Sequence, residues 1–118
     1  GFTAYSATKG YVPEIQAAAY AYSYYIVDSN PYIDAYTVSR QVDAPSEVNS
    51  GLRFGLWECD MNQPNLIVAT KRRKIWQVFR DIDKKNDTLE ATEFAKEIIG
   101  IEKWSDVIPN FKWRNLEN

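Results

Sequence analysis

Residues 13–42, PEIQAAAYAYSYYIVDSNPYIDAYTVSRQV, decide which fold class this chain is expected to adopt. Pro13 suits the first turn of a helix, and apolar side chains then recur at helical spacing as far as Ile26. The helix should end near Asn30, because the residue before a proline, here Pro31, disfavours helical backbone. The first half of the stretch therefore predicts a long helix that is apolar around much of its surface.

Residues 32–42, YIDAYTVSRQV, form the second half of the stretch and predict a β-strand. They are rich in aromatic and β-branched residues, which strands favour. Side chains alternate between the two faces of a strand, so Ser39, Gln41 and Asp43 are expected on one face and Arg40 on the other. A helix joined to a strand across a short link is the second half of a β/α unit, which predicts an α/β fold.

The remainder of the chain predicts one long loop and two further helices. Residues 43–70 should form a long loop with one short extended segment, and loops of that length usually serve a function. Residues 71–83 and 88–99 should be helical, with Gly100 as a left-handed cap and a short helical turn at 104–107. We expect the basic residues KRRK, which open the first of these helices, to be solvated, and an anion site is the alternative.

Composition is typical of one folded unit and excludes several classes of function. The 118 residues are 45% hydrophobic and 25% charged, and 14 basic against 16 acidic side chains give a net charge of −2. This charge predicts no general attraction to nucleic acid or to anionic membranes. The chain has no histidine, and Cys59 is its one cysteine, so an internal disulfide, a zinc site and histidine-based catalysis are not expected. We predict no metal and no cofactor.

Neither residues 1–20 nor the apolar runs of the chain predict an export signal or a membrane span. No apolar run approaches the roughly 20 residues needed to span a bilayer. Residues 1–20 lack the charged start and apolar centre of a signal peptide. The first residue is Gly1 rather than methionine, which predicts a processed chain or a piece of a longer one.

Residues 79–94, FRDIDKKNDTLEATEF, have the appearance of a calcium-binding loop between two helices. Such a loop needs oxygen ligands at alternate positions and a glycine at its sixth position. A loop that begins at Asp81 or at Asp83 puts Lys85 at a ligand position and has no glycine. We therefore predict a polar turn in which Asp81, Asp83 and Asp87 are solvated or cap helices, and a calcium module remains an alternative.

Four motifs in order carry a resemblance to a known family: GFTAYS, EIQAAAYAYSYYIVDSNPYIDAYTVSRQVD, GLRFGLW and KRRKIWQVFRDIDKKNDTLEATEFAKEIIGIEKWSDVIPNF. The chain resembles the C-terminal part of an uncharacterised bacterial family grouped with the TIM-barrel glycoside hydrolases. The resemblance implies that residues 1–118 are one unit, the C-terminal segment of a (β/α)8 TIM barrel. Residues 13–27 would be the seventh helix, 33–42 the eighth strand and 71–83 the eighth helix, followed by a C-terminal helical extension.

The same resemblance implies a carbohydrate substrate and an extracellular or cell-surface location. Glycoside hydrolases commonly use two carboxylates, and those of the barrel enzymes usually close the fourth and seventh strands, which would precede Gly1. This chain would therefore lack the catalytic pair, would be inactive alone and would contribute one wall of the sugar-binding cleft. A fragment with unpaired strand edges would also be expected to self-associate.

Five side chains near the predicted mouth of the barrel are the candidate substrate-binding residues: Arg40, Gln41, Asp43, Arg53 and Trp57. Gln41 and Asp43 would bond sugar hydroxyls, Arg53 a hydroxyl or a carboxylate, and Trp57 would stack on a sugar ring. Arg40 would point inward only if a bulge redirected it. The structural alternatives are an ion pair for Arg40, a turn cap for Asp43 and a core position for Trp57.

Two further hypotheses concern other residues, and a third concerns another class of function. Glu58 and Asp60 lie two apart and are a weaker candidate for an acid/base pair. We expect Cys59 to be an inert thiol, because its acidic neighbours should not depress its pKa. The alternative to the barrel is a stand-alone small α/β interaction module without enzymatic activity.

Overall fold

The computed structural model describes residues 1–84, 88–109 and 111, except for the side chains of residues 81–92. The side chains of Asp81, Asp83 and Asp87, on which the predicted polar turn and the calcium alternative depend, lie outside the described residues. The described residues form an α/β arrangement of helices and two small antiparallel sheets, with these bounds: β1 (Tyr5–Ser6), β2 (Gly10–Tyr11), α1 (Pro13–Ser29), α2 (Pro45–Asn49), β3 (Trp57–Cys59), β4 (Ala69–Arg72), α3 (Lys74–Lys84), α4 (Thr88–Ile99) and a 3-10 turn (Trp104–Asp106).

The core lies between α1, α3 and α4, which pack against one another. Helix α1 begins at Pro13 and ends at Ser29, which confirms the helix predicted from the opening stretch. Ala17 and Ala21 on α1 are fully buried, as is Ala95 on α4. Small side chains at these positions let the helix axes approach closely, and larger residues such as Tyr25 fill the space around them.

An aromatic cluster closes the core at the C-terminal half of α1. Trp104 lies on the 3-10 turn with its ring centroid 4.8 Å from that of Tyr25 and 6.0 Å from that of Tyr22. The chain reaches this position because α4 ends at Ile99 and is followed by Gly100, whose φ of 84° lies in the left-handed region that favours glycine. The predicted helix at 88–99, its glycine cap and the short turn after it are all confirmed.

The prediction that residues 32–42 form a β-strand paired in a sheet is wrong. Among the described residues, positions 34–40 make no backbone-to-backbone hydrogen bond, and Val42 alone forms a bridge, parallel to Trp57. The physical reason is that no described strand edge lies beside 34–40. From Tyr36 to Val42, however, partly covered and exposed residues alternate with a period of two, as they do along a strand.

The loop predicted over residues 43–70 contains more regular structure than its pattern indicated. It holds the short helix α2 and most of an antiparallel hairpin, in which Trp57 pairs with Arg72 and Cys59 with Ala69. The KRRK prediction is also wrong in part, because Arg72 ends β4 and α3 begins only at Lys74. Pairing with β3 holds the first basic residues in a strand, so one base rather than four occupies the first turn of the helix.

Candidate functional site

A buried ion pair lies at the carboxyl end of the 32–42 segment. Asp43 and Arg73 are 2% and 3% exposed. Two parallel hydrogen bonds join them, from Arg73 Nη2 to Asp43 Oδ2 (2.7 Å) and from Nη1 to Oδ1 (3.1 Å). Burial alone would lower the pKa of Arg73, but its bonds to Asp43 and Tyr11 raise that pKa above its usual value, so the guanidinium stays charged.

The backbone around Gly55 completes the coordination of this pair. Its N–H donates to Asp43 Oδ1 (2.7 Å), and its carbonyl accepts from Arg73 Nη1 (2.8 Å). A Cβ at this position would lie 2.5 Å from the Asp43 nitrogen and 2.7 Å from the Trp57 oxygen. Only glycine therefore lets the chain approach the carboxylate closely enough to satisfy it.

Tyr11 and Glu58 extend the network from the buried pair toward solvent. The Tyr11 hydroxyl donates to Glu58 Oε1 (2.6 Å) and accepts from Arg73 Nε (3.2 Å). Burial and the bond to Glu58 raise the pKa of Tyr11, so its hydroxyl remains neutral and keeps its proton for the carboxylate. Glu58 Oε1 also lies 3.9 Å from Arg73 Nη2. Its carboxylate is thus positioned as an acceptor at the edge of the network.

A cavity of about 180 Å³ opens beside this network. It is lined by Asp43, Val48, Arg53, Glu58, Cys59, Met61 and Arg73. The Arg53 guanidinium lies 5.8 Å from the ring centroids of both Tyr5 and Tyr11, which hold it by cation–π contact. Its Nε is buried and has no hydrogen-bond partner among the described residues. Arg53 and Glu58 therefore bring a cation and a carboxylate to the wall of the cavity.

Cys59 faces this cavity as a neutral thiol. Burial raises the pKa of Cys59, and the nearby charge of Asp43 raises it further. Its sulfur lies 3.6 Å from that of Met61. The expectation that its pKa is not depressed is confirmed.

The structure brings together two of the five predicted binding residues, Asp43 and Arg53. Arg40 pairs with Glu47 at 3.0 Å and lies outside the cavity, as its structural alternative supposed. Gln41 is exposed and lines a second cavity, of about 570 Å³.

Trp57 does not line the 180 Å³ cavity. Its half-buried ring packs against the core, and the Arg72 guanidinium lies 5.1 Å from the ring centroid. The position therefore agrees with its structural alternative, a tryptophan that anchors the hairpin.

Sequence reasoning missed two members of the network and misread a third. No pattern in the sequence singled out Tyr11, and Arg73 lies in a run of bases that was predicted to be solvated. Glu58 was paired with Asp60, but Asp60 instead accepts a bond from the Asn62 N–H (2.9 Å) and does not line the cavity. Nothing in the local pattern marks Arg73, because its partner lies thirty positions away.

Comparison with known proteins gives a family but no function. A sequence model of DUF5722, described as a family of unknown function, matches residues 1–107. No curated protein and no solved structure matches the chain. Within the described part of the chain, no helix has both the length and the apolar character needed to cross a membrane.

Proposed function

The chain belongs to DUF5722, a family of unknown function, and within that family we propose that it acts in carbohydrate binding. It would be the closing sector of a TIM-barrel protein of the glycoside-hydrolase type and would form one wall of the sugar cleft. The catalytic carboxylate pair would come from elsewhere in the barrel. The observation that carries the proposal is the polar cavity of about 180 Å³ at the carboxyl end of the 32–42 segment.

The two sides of the 32–42 segment support the barrel part of the proposal. Tyr36 and Val38 pack against the core, and the Tyr36 hydroxyl is 2.6 Å from Ser23 Oγ on α1. Thr37, Ser39 and Gln41 are exposed on the other side. A barrel strand packs its outer side on helices and its inner side into the barrel interior, with both edges paired to neighbouring strands. Residues 34–40 make no backbone-to-backbone hydrogen bond with the described residues, as expected of such a strand in the absence of its neighbouring strands.

The position of the cavity supports the binding part of the proposal. Barrel enzymes build their sites at the carboxyl ends of the strands, from the loops that follow them. Asp43 follows the segment directly, and Arg53 and Glu58 lie on the connection to α3. Sugar hydroxyls both donate and accept hydrogen bonds, which suits a cavity wall that carries the Arg53 guanidinium and the Glu58 carboxylate. The Val48 and Met61 side chains add apolar surface for ring C–H groups.

Glycan binding by the complete natural protein tests this proposal. Oligosaccharides found by an array screen would be titrated by calorimetry against the wild type, Arg53→Met and Arg53→Lys. Both variants lose the guanidinium with its N–H donors, and loss of a charge-assisted bond should weaken binding about tenfold or more. Lys103→Met, an exposed residue beside the 3-10 turn, is the control and should bind as the wild type does. The proposal would be contradicted if the protein bound no glycan, or if the Arg53 variants bound glycan as tightly as the wild type does.

A stand-alone interaction module is the second candidate, and one observation favours it. Leu66 and Ile67, on the connection between β3 and β4, are 61% and 51% exposed, and such side chains suit a protein partner. A module of this kind predicts that the isolated chain unfolds in one cooperative transition as a monomer. A barrel sector with open strand edges predicts self-association instead.

A further inference from the structure

We propose that a basic groove next to the sugar cavity binds the anionic groups of an acidic polysaccharide. This inference rests on the proposed function and assigns its substrate class. The groove has a volume of about 520 Å³ and lies between the amino-terminal ends of α1 and α3. The described residues that line it are Tyr11, Pro13, Glu14, Lys71, Arg72, Arg73, Lys74, Trp76, Gln77 and Arg80.

The charge of the groove is strongly one-sided. Five of its lining residues are basic, and Glu14 is the one acidic residue among those described. The whole chain carries a net charge of −2, so this concentration of cations is a local feature. The unsatisfied N–H groups at the starts of α1 and α3 add to the positive potential.

Two of these cations are available to a ligand. Lys71 and Arg72 are exposed on β4 and form no ion pair with any described residue. By contrast, Asp43 neutralises Arg73, while Lys74 Nζ lies 4.6 Å from the Phe94 ring centroid and 3.4 Å from Gln77 Oε1. Lys71 and Arg72 are therefore the residues expected to meet an anion.

Aromatic rings hold Arg72 in a defined position. Its guanidinium carbon lies 4.0 Å from the ring centroid of Trp76 and 5.1 Å from that of Trp57. Stacking on a ring fixes the guanidinium plane and leaves its edge N–H groups free to donate. A fixed planar donor suits a sulfate or a carboxylate, which accept two parallel hydrogen bonds.

Continuity with the sugar cavity favours a glycan as the source of the anion. Arg73 lines both the groove and the 180 Å³ cavity, and Tyr11 in the groove bonds Glu58 in the cavity. A chain of sugar units that occupies the cavity could thus present an acidic substituent to Lys71 and Arg72. Nucleic acid is also a polyanion and would meet the same cations, so duplex DNA is the competing ligand in the test.

The test compares a sulfated polysaccharide, a polyuronate, a neutral polysaccharide and duplex DNA as ligands of the complete natural protein. The variants are Lys71→Gln/Arg72→Gln, Arg53→Met, and Lys9→Gln/Lys103→Gln as the charge-matched control. We expect at least one acidic polysaccharide to bind more tightly than the neutral one, with an affinity that falls as salt rises. The groove variant Lys71→Gln/Arg72→Gln should bind about tenfold more weakly or worse, and each factor of ten is about 1.4 kcal/mol of binding free energy. The control variant should bind almost as tightly as the wild type.

The outcomes separate this inference from the proposed function. Equal binding of neutral and acidic polysaccharides, or equal affinity of the groove variant and its control, overturns the inference and leaves glycan binding in place. DNA that binds as tightly as the acidic polysaccharides also overturns it. A loss confined to the groove variant, with Arg53→Met unaffected, supports the groove and contradicts the cavity. Binding of no polysaccharide overturns both.

Discussion

At Gly55 the chain has no room for a side chain, and this single position joins the fold to the candidate site. A Cβ would meet the backbone nitrogen of Asp43 at 2.5 Å and its Oδ1 at 2.8 Å. These contacts are with backbone and with a buried carboxylate, neither of which can move aside without breaking the network. Glycine is therefore required here by close approach rather than by an unusual φ.

Gly55→Ala should destabilise the protein by about 2 kcal/mol or more, because overpacking next to a buried pair strains the whole network. Gly10→Ala is the comparison. Its φ is 76° but nothing lies within 4 Å of the added Cβ, so it should cost only about 1 kcal/mol of left-handed strain. Chemical unfolding of the natural protein measures both. A Gly55→Ala protein as stable as Gly10→Ala would mean that the chain at Gly55 does not approach Asp43 closely enough to exclude a side chain.

Removing one partner of the Asp43–Arg73 pair should be costly. Arg73→Gln leaves a carboxylate buried without its cation, which typically costs about 3 to 5 kcal/mol. The double variant Asp43→Leu/Arg73→Met should regain part of that loss, though not all, because the Gly55 N–H and carbonyl lose their partners. Unfolding free energies of the three proteins check this. If Arg73→Gln were as stable as the wild type, the Asp43–Arg73 pair would have to be solvated rather than buried.

At the scale of elements, the long periodic segments were predictable and the short ones were not. Helices α1 and α4 carry enough turns for their spacing to be read, and Gly100 marks an end. Each strand of the two hairpins has two to four residues, too few for a period of two to stand out. The site depends on those hairpins, since β4 leads directly to Arg73, and this is why only Asp43 and Arg53 of the cavity were predicted to bind substrate.

The two sides of the 32–42 segment should respond very differently to truncation. Tyr36→Ala removes ring contacts to Tyr24 and Phe79 and a hydrogen bond to Ser23, so a loss of about 3 kcal/mol or more is expected. Thr37→Ala, on the exposed side, is the matched neighbour and should change stability by less than about 0.5 kcal/mol. Thermal or chemical unfolding of the two variants provides the comparison. Similar losses of stability at both positions would contradict the assignment of Tyr36 to the packed side of the segment and Thr37 to the exposed side.

At the scale of the whole molecule, the basic groove and the polar cavity lie at the same end of the helix pair α1 and α3. Both lie where α1 and α3 begin, whereas the aromatic cluster of Trp104 seals the other half of α1. In a barrel, that end of the helices is the end at which the strands finish. The amino-terminal end of the helix pair would thus form the binding surface and the opposite end would serve stability.

Hydrogen exchange of backbone amides 34–40 in the complete natural protein tests the central claim most directly. If the segment is a barrel strand, its amides are paired with neighbouring strands and should exchange as slowly as those of α1. In the isolated chain of 118 residues the same amides have no described partner and should exchange quickly. Rapid exchange of 34–40 in the complete protein, at the rate of the exposed turn at residues 7–9, would contradict the barrel and the carbohydrate cleft built on it.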